Sequence, residues 1–436
     1  MKSFINKIKG FSKKDFVKVF SLAAVSSFIK ILSSFVSIKV VSVIIGPSGL
    51  ALLGQLTNFN NIFLRIATGG NNTGVTKYLA SSNGDEQKNK EIIGTSLFIS
   101  FYLSLICGII LILFSGYFSA LILNDIGQQK YKSIFVVFGI TILLYALNTK
   151  LLAILNGFKE YRKYILVDII SSTVGLIFSV FLVFYWNIYG ALLAAVTFQS
   201  VVFLISIFLV TNASWFKKDF LFSGYNKIIA KKLTLYSIMA LTSAICVPLS
   251  QMIIRSKISA DFSVNDAGIW EGINKISVLN LMIITKSLGI YYLPKLSSIK
   301  DDFKIKNEII KTAKLLIPLV IFTSLTIYLL RDFIIQLIFT ESFKEMRELF
   351  SYQLLGDFCK ILSWLFAYLI LAKSMTKTYV FLEIFSCFSW VLLSFLLMNF
   401  FGYKGATIAY FLNYVIYLIF MIILFRKILF NKKAAL

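Results

Sequence analysis

Apolar runs of about 20 residues recur along the whole 436-residue chain and are separated by short polar stretches rich in lysine. Each run is long enough to cross a bilayer as a helix, and the alternating ten-residue segments of a membrane barrel are not found. The pattern therefore predicts an all-α polytopic membrane protein. Its twelve predicted transmembrane helices span residues 17–45, 49–79, 92–114, 133–157, 163–186, 189–211, 233–258, 264–296, 312–330, 348–372, 379–399 and 405–425.

The longest polar interruption, residues 212–232, divides the twelve spans into two sets of six. It predicts an N-terminal six-helix bundle over 1–211, a cytoplasmic linker over 212–232 and a C-terminal six-helix bundle over 233–436. The two halves also resemble each other, since span 2 opens with "SGLALLGQ" and span 8 with "AGIWEGIN". Two halves with the same helix order form a parallel repeat, which is a common plan among transporters.

Span 2 contains the polar stretch "RIATGGNNTGVTKYLA", residues 65–80. A continuous helix from Gly49 to Leu79 would be about 45 Å long, against about 30 Å for the hydrocarbon core. The span must therefore tilt, bend or extend past the membrane, and Gly69, Gly70 and Gly74 are the natural positions for a bend. Such irregular backbone is tolerated only against protein or a water-filled cavity.

The chain is 58% hydrophobic and carries 44 basic against 20 acidic residues, a net charge of +24. With the N-terminus inside, the cytoplasmic loops hold about three times as many basic residues as the outer loops. This bias predicts that both termini are cytoplasmic, and it accounts for the charge without any nucleic-acid partner. Residues 1–15 show no cleavage site and are expected to be retained.

The chain has no histidine, which excludes a histidine metal site, a Ser-His triad and a histidine proton relay. The four cysteines lie inside apolar runs without Cys-x-x-Cys spacing, so we interpret them as small core residues. The segment "GLALLGQL" has the glycine spacing of a nucleotide-binding loop but lacks its Lys-Ser/Thr. We therefore expect no catalytic residue, metal or cofactor, and transport would use an H+ or Na+ gradient or the substrate's own gradient.

Basic residues inside the spans are costly in lipid and therefore indicate a functional site. Lys30 lies near the middle of span 1, Arg65 at mid-depth in span 2, and Lys286 in span 8 without an acidic neighbour in its own helix. Lys39 and Arg255 lie nearer the outer ends, where snorkelling to the interface is the alternative. Together they predict a cationic cavity that binds an anionic substrate, with phosphate as the best-fitting group.

Acidic residues inside the spans have basic residues with which they could pair: Glu271 with Lys275, Asp357 with Lys360, and Asp168 with Lys150. The first two pairs are four and three residues apart, so their members share one helix face. Two interpretations stay open. The pairs neutralise themselves to lower the cost of insertion, or a titratable carboxylate held by its lysine couples or gates transport. Asp168 and Lys150 could also be ordinary interfacial residues.

Several strings resemble the Wzx-type polyprenyl-linked oligosaccharide flippases, in the branch that includes the enterobacterial common antigen (lipid III) flippase. They are "KILSSFVSIKVVSVIIGPSGLALLGQ", "NNTGVTKYLA", "GIWEGINKIS", "YYLPKLSS" and "LLRDFIIQLIF…MRELFSYQLLGDFCK". The resemblance implies the multidrug/oligosaccharidyl-lipid/polysaccharide exporter fold, in which two six-helix bundles form a V around a central cavity. It also implies alternating access that carries an undecaprenyl-pyrophosphate glycan from the inner to the outer leaflet of the bacterial inner membrane.

In this resemblance, charged positions of the family are matched by Lys30, Lys39, Arg255, Asp357 and Lys360. Glu271 stands where the common-antigen branch has a glutamine, and Arg65 has no counterpart. The cargo is thus equally an O-antigen unit of lipopolysaccharide biosynthesis or lipid III. The implied partners are the undecaprenyl-pyrophosphate glycan, membrane lipid, a glycan polymerase and a chain-length regulator.

Two other functions remain as alternatives. One is a small-molecule or drug antiporter of the same superfamily, although expelling cationic drugs would favour an acidic cavity. The other is a membrane enzyme of glycan assembly. A glycosyltransferase would usually show a carboxylate-rich loop for a metal, and a polymerase a large outer loop, and the sequence has neither.

Overall fold

The structure is a computed structural model that describes residues 13–82, 85–123, 130–211, 224–299 and 301–430. Some side chains within these ranges, including those of residues 13–24 and of Lys286, lie outside the description. The predicted cytoplasmic ends (residues 1–12 and 431–436) and most of the predicted linker (212–223) also lie outside the described residues. All regular secondary structure in the described ranges is helical.

The helices of the first half of the chain are α1 (Lys13–Ala67), α2 (Asn72–Ser81), α3 (Glu86–Leu113), α4 (Ser115–Leu123), α5 (Lys132–Gly157) and α6 (Tyr161–Thr211). Those of the second half are α7 (Lys227–Asp261), α8 (Val264–Ser287), α9 (Leu293–Ser298), α10 (Asp302–Leu329), α11 (Arg331–Ile338), α12 (Phe350–Ala372), α13 (Thr376–Phe401), α14 (Gly405–Leu424) and α15 (Arg426–Phe430). A π-helical turn joins α8 to α9, and 3₁₀ segments precede α12 and α14.

Eight helical stretches in the described ranges are long and apolar enough to cross a membrane. Three of them contain two helices each, because the backbone turns left-handed at Gly46 (φ 64°), Asn187 (φ 48°) and Gly402 (φ 60°). Pro47 follows the first of these turns. When each of these three stretches is counted as two helices and the more polar α8 is added, the described ranges contain twelve helices of membrane length. The protein is thus an all-α polytopic membrane protein, as predicted.

The chain divides into two compact units, and the division does not follow the midpoint of the sequence. The first unit comprises Met1–Ile44 and Asn60–Leu241, and the second comprises Ile45–Phe59 and Thr242–Leu436. The segment 45–59, which opens span 2, therefore belongs to the second unit although it lies early in the chain. The predicted division into 1–211, 212–232 and 233–436 remains a prediction.

The break predicted within residues 65–80 is confirmed. Helix α1 ends at Ala67, a turn follows, and α2 begins at Asn72. Gly74 lies inside α2, so its predicted part in the bend is wrong. Gly69 (φ 66°) and Gly70 (φ 61°) both have a left-handed backbone, which side chains other than glycine adopt at a cost. A Cβ at Gly70 would also lie 2.7 Å from Leu241 Cγ, so the turn is packed closely within the first unit.

Large apolar side chains cover much of the outer surface of the helices, as a lipid-facing surface requires. Inside each unit, glycines let helices approach closely. A Cβ at Gly108 of α3 would lie 2.6 Å from the carbonyl oxygen of Gly139 in α5. In the second unit, a Cβ at Gly356 of α12 would lie 2.3 Å from the Tyr410 ring of α14. Small residues at such crossings are typical of packing between membrane helices.

Candidate functional site: the charges inside the spans

Lys30 of α1 lies beside Asp168 of α6 in the first unit. Its Nζ is 3.5 Å from Asp168 Oδ1, and the lysine side chain is 45% exposed. Ser26, one turn earlier on α1, donates a hydrogen bond of 2.7 Å from its hydroxyl to Asp168 Oδ2. The carboxylate is therefore fixed by the serine, whereas the lysine is held loosely and remains accessible.

Arg65 is exposed near the end of α1, immediately before the left-handed turn. Its carbonyl oxygen accepts hydrogen bonds from the Gly70 amide at 2.9 Å and from the Thr68 hydroxyl at 3.1 Å, which hold the turn against the helix end. Among the described residues Arg65 has no ion-pair partner, and Tyr145 of α5 lies within electrostatic range of it. The guanidinium is therefore available to an anion.

Lys150 of α5 is fully buried, and its Nζ donates to the side-chain oxygen of Asn71, just before α2. This contact ties α5 to the turn that interrupts span 2. It also answers an open question from the sequence: Asp168 pairs with Lys30, so the considered pairing of Asp168 with Lys150 is wrong. Position along the chain could not reveal either partner, because both contacts join different helices.

Arg255 of α7 is buried in the second unit, with only 2% exposed, so the snorkelling alternative for this residue is wrong. Its Nη2 pairs with Glu271 Oε2, and its Nη1 donates a hydrogen bond of 2.8 Å to Gln55 Oε1. Lys275 Nζ lies 3.0 Å from the other Glu271 oxygen, which confirms the predicted pairing at four residues. The Trp270 ring, 5.6 Å from the guanidinium carbon, completes the cluster.

The same cluster fixes the segment 45–59 within the second unit. Gln55 also donates to Ser256 Oγ at 2.9 Å, one position beyond Arg255 on α7. A Cβ at Gly54 would lie 2.5 Å from Glu271 Cδ, so only glycine leaves room for the buried carboxylate. Because Arg255 is buried and already contacts Glu271 and Gln55, its role as a substrate ligand stays a prediction that would require this cluster to open.

Asp357 of α12 is completely buried in the second unit. Its Oδ1 accepts hydrogen bonds from the Ser277 hydroxyl of α8 at 2.6 Å and from the Tyr410 hydroxyl of α14 at 2.8 Å. Its Oδ2 has no hydrogen-bond partner among the described residues, and neither do the amide nitrogen and oxygen of Gln353, one turn earlier and also buried. Such unpaired polar atoms are rare in a packed interior.

Lys360 and Asp357 do not form the direct ion pair that their spacing suggested, although both are described. The Tyr410 hydroxyl bridges them instead, since it also lies 3.4 Å from Lys360 Nζ. The ammonium lies over the rings of Tyr414 (4.8 Å to the centroid), Tyr410 (5.3 Å) and Trp364 (5.6 Å). The lysine is therefore stabilised by ring faces as well as by the carboxylate.

The structure shows less about the surroundings of two of the predicted cations. Lys39 is partly buried on α1 and makes a polar or ring contact of its own. Lys286 lies in α8, but its side chain is outside the described residues. Of the predicted cationic set, Lys30 and Arg65 of the first unit are thus the two whose accessible side chains the structure describes, and no described contact joins them to each other.

Sequence reasoning missed the neutral partners of these charges: Ser26, Gln55, Ser277 and Tyr410. Each of them lies on a different helix from the charge that it contacts. Serine and tyrosine are common in this sequence, so residue type alone does not mark these partners. Only the packing of the helices shows which of them meet a charge.

The comparisons with known proteins agree with this picture. The model of the family "polysaccharide biosynthesis protein" matches residues 16–300, and the chain belongs to this family. Among individual proteins, it is similar to the lipid III flippases of Escherichia coli (strain K12) and Shigella flexneri. Each is 27% identical over 394 residues, which are 90% of this chain and 94% of the relative.

Solved structures with the same fold include multidrug transporters. An inward-facing MATE family transporter of the MOP superfamily superposes with a TM-score of 0.75 at 13% identity, covering 92% of this chain and 95% of its own. The MATE multidrug transporter DinF-BH gives a TM-score of 0.69 at 16% identity, covering 95% of this chain and 96% of its own. At these identities the likeness shows the fold alone.

Proposed function

We propose that this protein is a flippase for an undecaprenyl-pyrophosphate-linked oligosaccharide. It carries its cargo from the cytoplasmic to the periplasmic leaflet of the bacterial inner membrane, and it is a transporter rather than an enzyme. The observation that carries the proposal is the similarity to lipid III flippases, which extends over 90% of this chain and 94% of theirs. The family match and the transporter fold support it independently.

The diphosphate of the cargo binds the accessible cations of the first unit. Lys30 is accessible in the first half of α1 and Arg65 near its end, both within the membrane-spanning stretch. A cation kept at such depth is costly unless it meets water or an anion. Lys286 is the third proposed ligand, from the sequence alone. The polyprenyl tail stays in lipid, and the sugars enter the water-filled space beside the cations.

Alternating access then moves the cargo between leaflets, as the family resemblance implies. The Asp357 cluster is the proposed coupling site, with H+ or Na+ as the coupling ion. A buried carboxylate with one unpaired oxygen can take up a proton or a cation, and its bridge to Lys360 through Tyr410 would transmit the change between α12 and α14. Glu271 is a weaker candidate, because Arg255 and Lys275 already neutralise it.

The cargo is either an O-antigen unit or lipid III. A glycan polymerase and a chain-length regulator are the proposed partners downstream, and both termini are proposed to be cytoplasmic. The drug-antiporter alternative rests on the shared fold, at 13% and 16% identity to the two MATE transporters. It is not favoured, since the relatives matched over most of their length are flippases and the proposed ligands Lys30 and Arg65 are cationic.

Complementation tests the proposal in cells. A strain that lacks its own lipid III or O-antigen flippase receives this chain, and surface glycan is measured with the protein level checked. We expect wild-type protein to restore glycan and Lys30→Ala, Arg65→Ala and Lys286→Ala to reduce it. The matched control is Lys227→Ala, which removes an exposed lysine at the start of α7. Wild-type levels of surface glycan from all three variants would refute the proposed cationic site.

The coupling site has its own test in reconstituted vesicles. We expect Asp357→Asn to retain flipping down the cargo gradient but to lose stimulation by a proton or sodium gradient. Tyr410→Phe should weaken that stimulation, because the hydroxyl that contacts both Asp357 and Lys360 is gone. The control is Tyr352→Phe, which lies exposed on the same helix as Asp357. Unchanged stimulation in Asp357→Asn would refute the assignment.

A further inference from the structure

We propose that Asp168 competes with the diphosphate of the cargo for Lys30. In this view, the carboxylate neutralises Lys30 while no cargo is bound and releases it when the diphosphate arrives. The inference rests on the proposed function and adds to it the residue that regulates access to the cationic site.

The two oxygens of Asp168 are held unequally. Oδ2 accepts a hydrogen bond of 2.7 Å from buried Ser26, whereas Oδ1 lies 3.5 Å from Lys30 Nζ, at the outer limit of a hydrogen bond. The carboxylate is therefore anchored whether or not the lysine is present. The lysine, in contrast, can leave without disturbing the anchored carboxylate.

Lys30 is suited to such an exchange. Its side chain is 45% exposed, against 21% for Asp168, so the ammonium presents donors away from the carboxylate. A lysine ammonium is a point charge on a flexible stem with three donors, and it can turn from one anion to another without the fixed planar geometry of arginine. A diphosphate carries more negative charge than one carboxylate, so it is the stronger partner.

The exchange has two consequences for transport. An anion must displace Asp168 to bind, which disfavours weakly charged lipids and selects the diphosphate. After release of the cargo, Asp168 returns to Lys30, so the protein can change conformation with the charge of Lys30 compensated. Removal of Asp168 should therefore strengthen binding and slow release.

A purely structural ion pair makes the opposite prediction. If Asp168 served only to position Lys30 for the cargo, its removal would misplace the lysine and weaken binding. The sign of the change in affinity thus separates the two roles.

The experiment measures binding of undecaprenyl pyrophosphate, without glycan, to the full chain in nanodiscs. We expect Asp168→Asn to bind up to about fivefold more tightly, which is the range that an exposed ion pair is worth. Lys30→Ala should bind more weakly, and the double variant should match Lys30→Ala because Asp168 acts only through the lysine. Asp168→Ala serves as a second variant if the asparagine variant does not fold.

The matched control is Glu160→Gln, which removes one negative charge just before α6 by breaking a pair with Lys163 at 3.9 Å. Its affinity should equal that of the wild type. In vesicle flipping assays, Asp168→Asn should lower both the half-saturating cargo fraction and the maximal rate, a combination that misfolding does not produce.

Weaker or unchanged binding by Asp168→Asn would overturn the inference. It would also be overturned if Asp168→Asn changed the binding affinity by the same factor in the wild type and in Lys30→Ala. These outcomes differ from failure of the proposed function itself. In that case the wild-type protein would not bind undecaprenyl pyrophosphate at all.

Discussion

Glu271 is the only carboxylate that contacts buried Arg255 among the described residues, so its neutralisation should destabilise the second unit strongly. In Glu271→Gln the guanidinium stays buried, with 2% exposed, and its partners there, the new amide, the Gln55 amide and the Trp270 ring, are all uncharged. Breaking a buried ion pair from one side typically costs about 3–5 kcal/mol, because the remaining charge is uncompensated. We expect a loss of that size in the free energy of unfolding.

The double variant Arg255→Met with Glu271→Gln provides the decisive comparison. It removes both fully buried charges and leaves an apolar side chain of similar length beside Trp270, so half-buried Lys275 is the charge of this cluster that remains. Replacing a buried pair by neutral groups is often nearly neutral for stability. The double variant should therefore be more stable than Glu271→Gln alone.

The assay is unfolding of the purified protein in mixed detergent micelles, followed by loss of helical circular dichroism. The matched control is Asp261→Asn, which breaks the partly exposed pair with Lys257 on the same helix and should cost below about 1 kcal/mol. A cost below about 1 kcal/mol for Glu271→Gln would refute the reasoning. So would a double variant whose loss of unfolding free energy equals the sum of the losses in Arg255→Met and Glu271→Gln measured singly.

Two further predictions concern stability. Gly268→Ala should unfold at a lower denaturant concentration or fail to accumulate, because the added Cβ would lie 1.8 Å from the backbone carbonyl oxygen of Pro47. Its control is Gly289→Ala, where the nearest atom to the added Cβ is 3.8 Å away, and this variant should behave as wild type. Asn71→Ala should cost about 1–3 kcal/mol by leaving the buried Lys150 amine without a partner. The neighbouring Asn72→Ala, whose side-chain oxygen makes no hydrogen bond within the described ranges, is its control, and equal losses in both would contradict the assignment.

The helices could be predicted from the sequence because each one depends on a local pattern. Runs of about 20 apolar residues define a span wherever they occur, and the glycines of 65–80 mark a break without reference to the rest of the fold. The pair Glu271–Lys275 was predictable for the same reason, since residues four apart share a helix face.

The partners across helices could not be predicted in this way. Lys30 and Asp168 are 138 residues apart, and Asp357 and Tyr410 are 53 apart, so their contacts depend on how the helices align. The same limit explains why the sequence left snorkelling open for Arg255. Its position along α7 is visible in the sequence, but its burial against Gln55 is not.

The central claim is that this chain flips an undecaprenyl-pyrophosphate glycan. The direct measurement reconstitutes the purified protein in vesicles loaded with that lipid and follows its exposure in the opposite leaflet with a glycan-specific reagent. We predict protein-dependent exposure that falls in Lys30→Ala and Arg65→Ala. Vesicles in which the lipid stays in its leaflet while a cationic dye is transported would contradict the account.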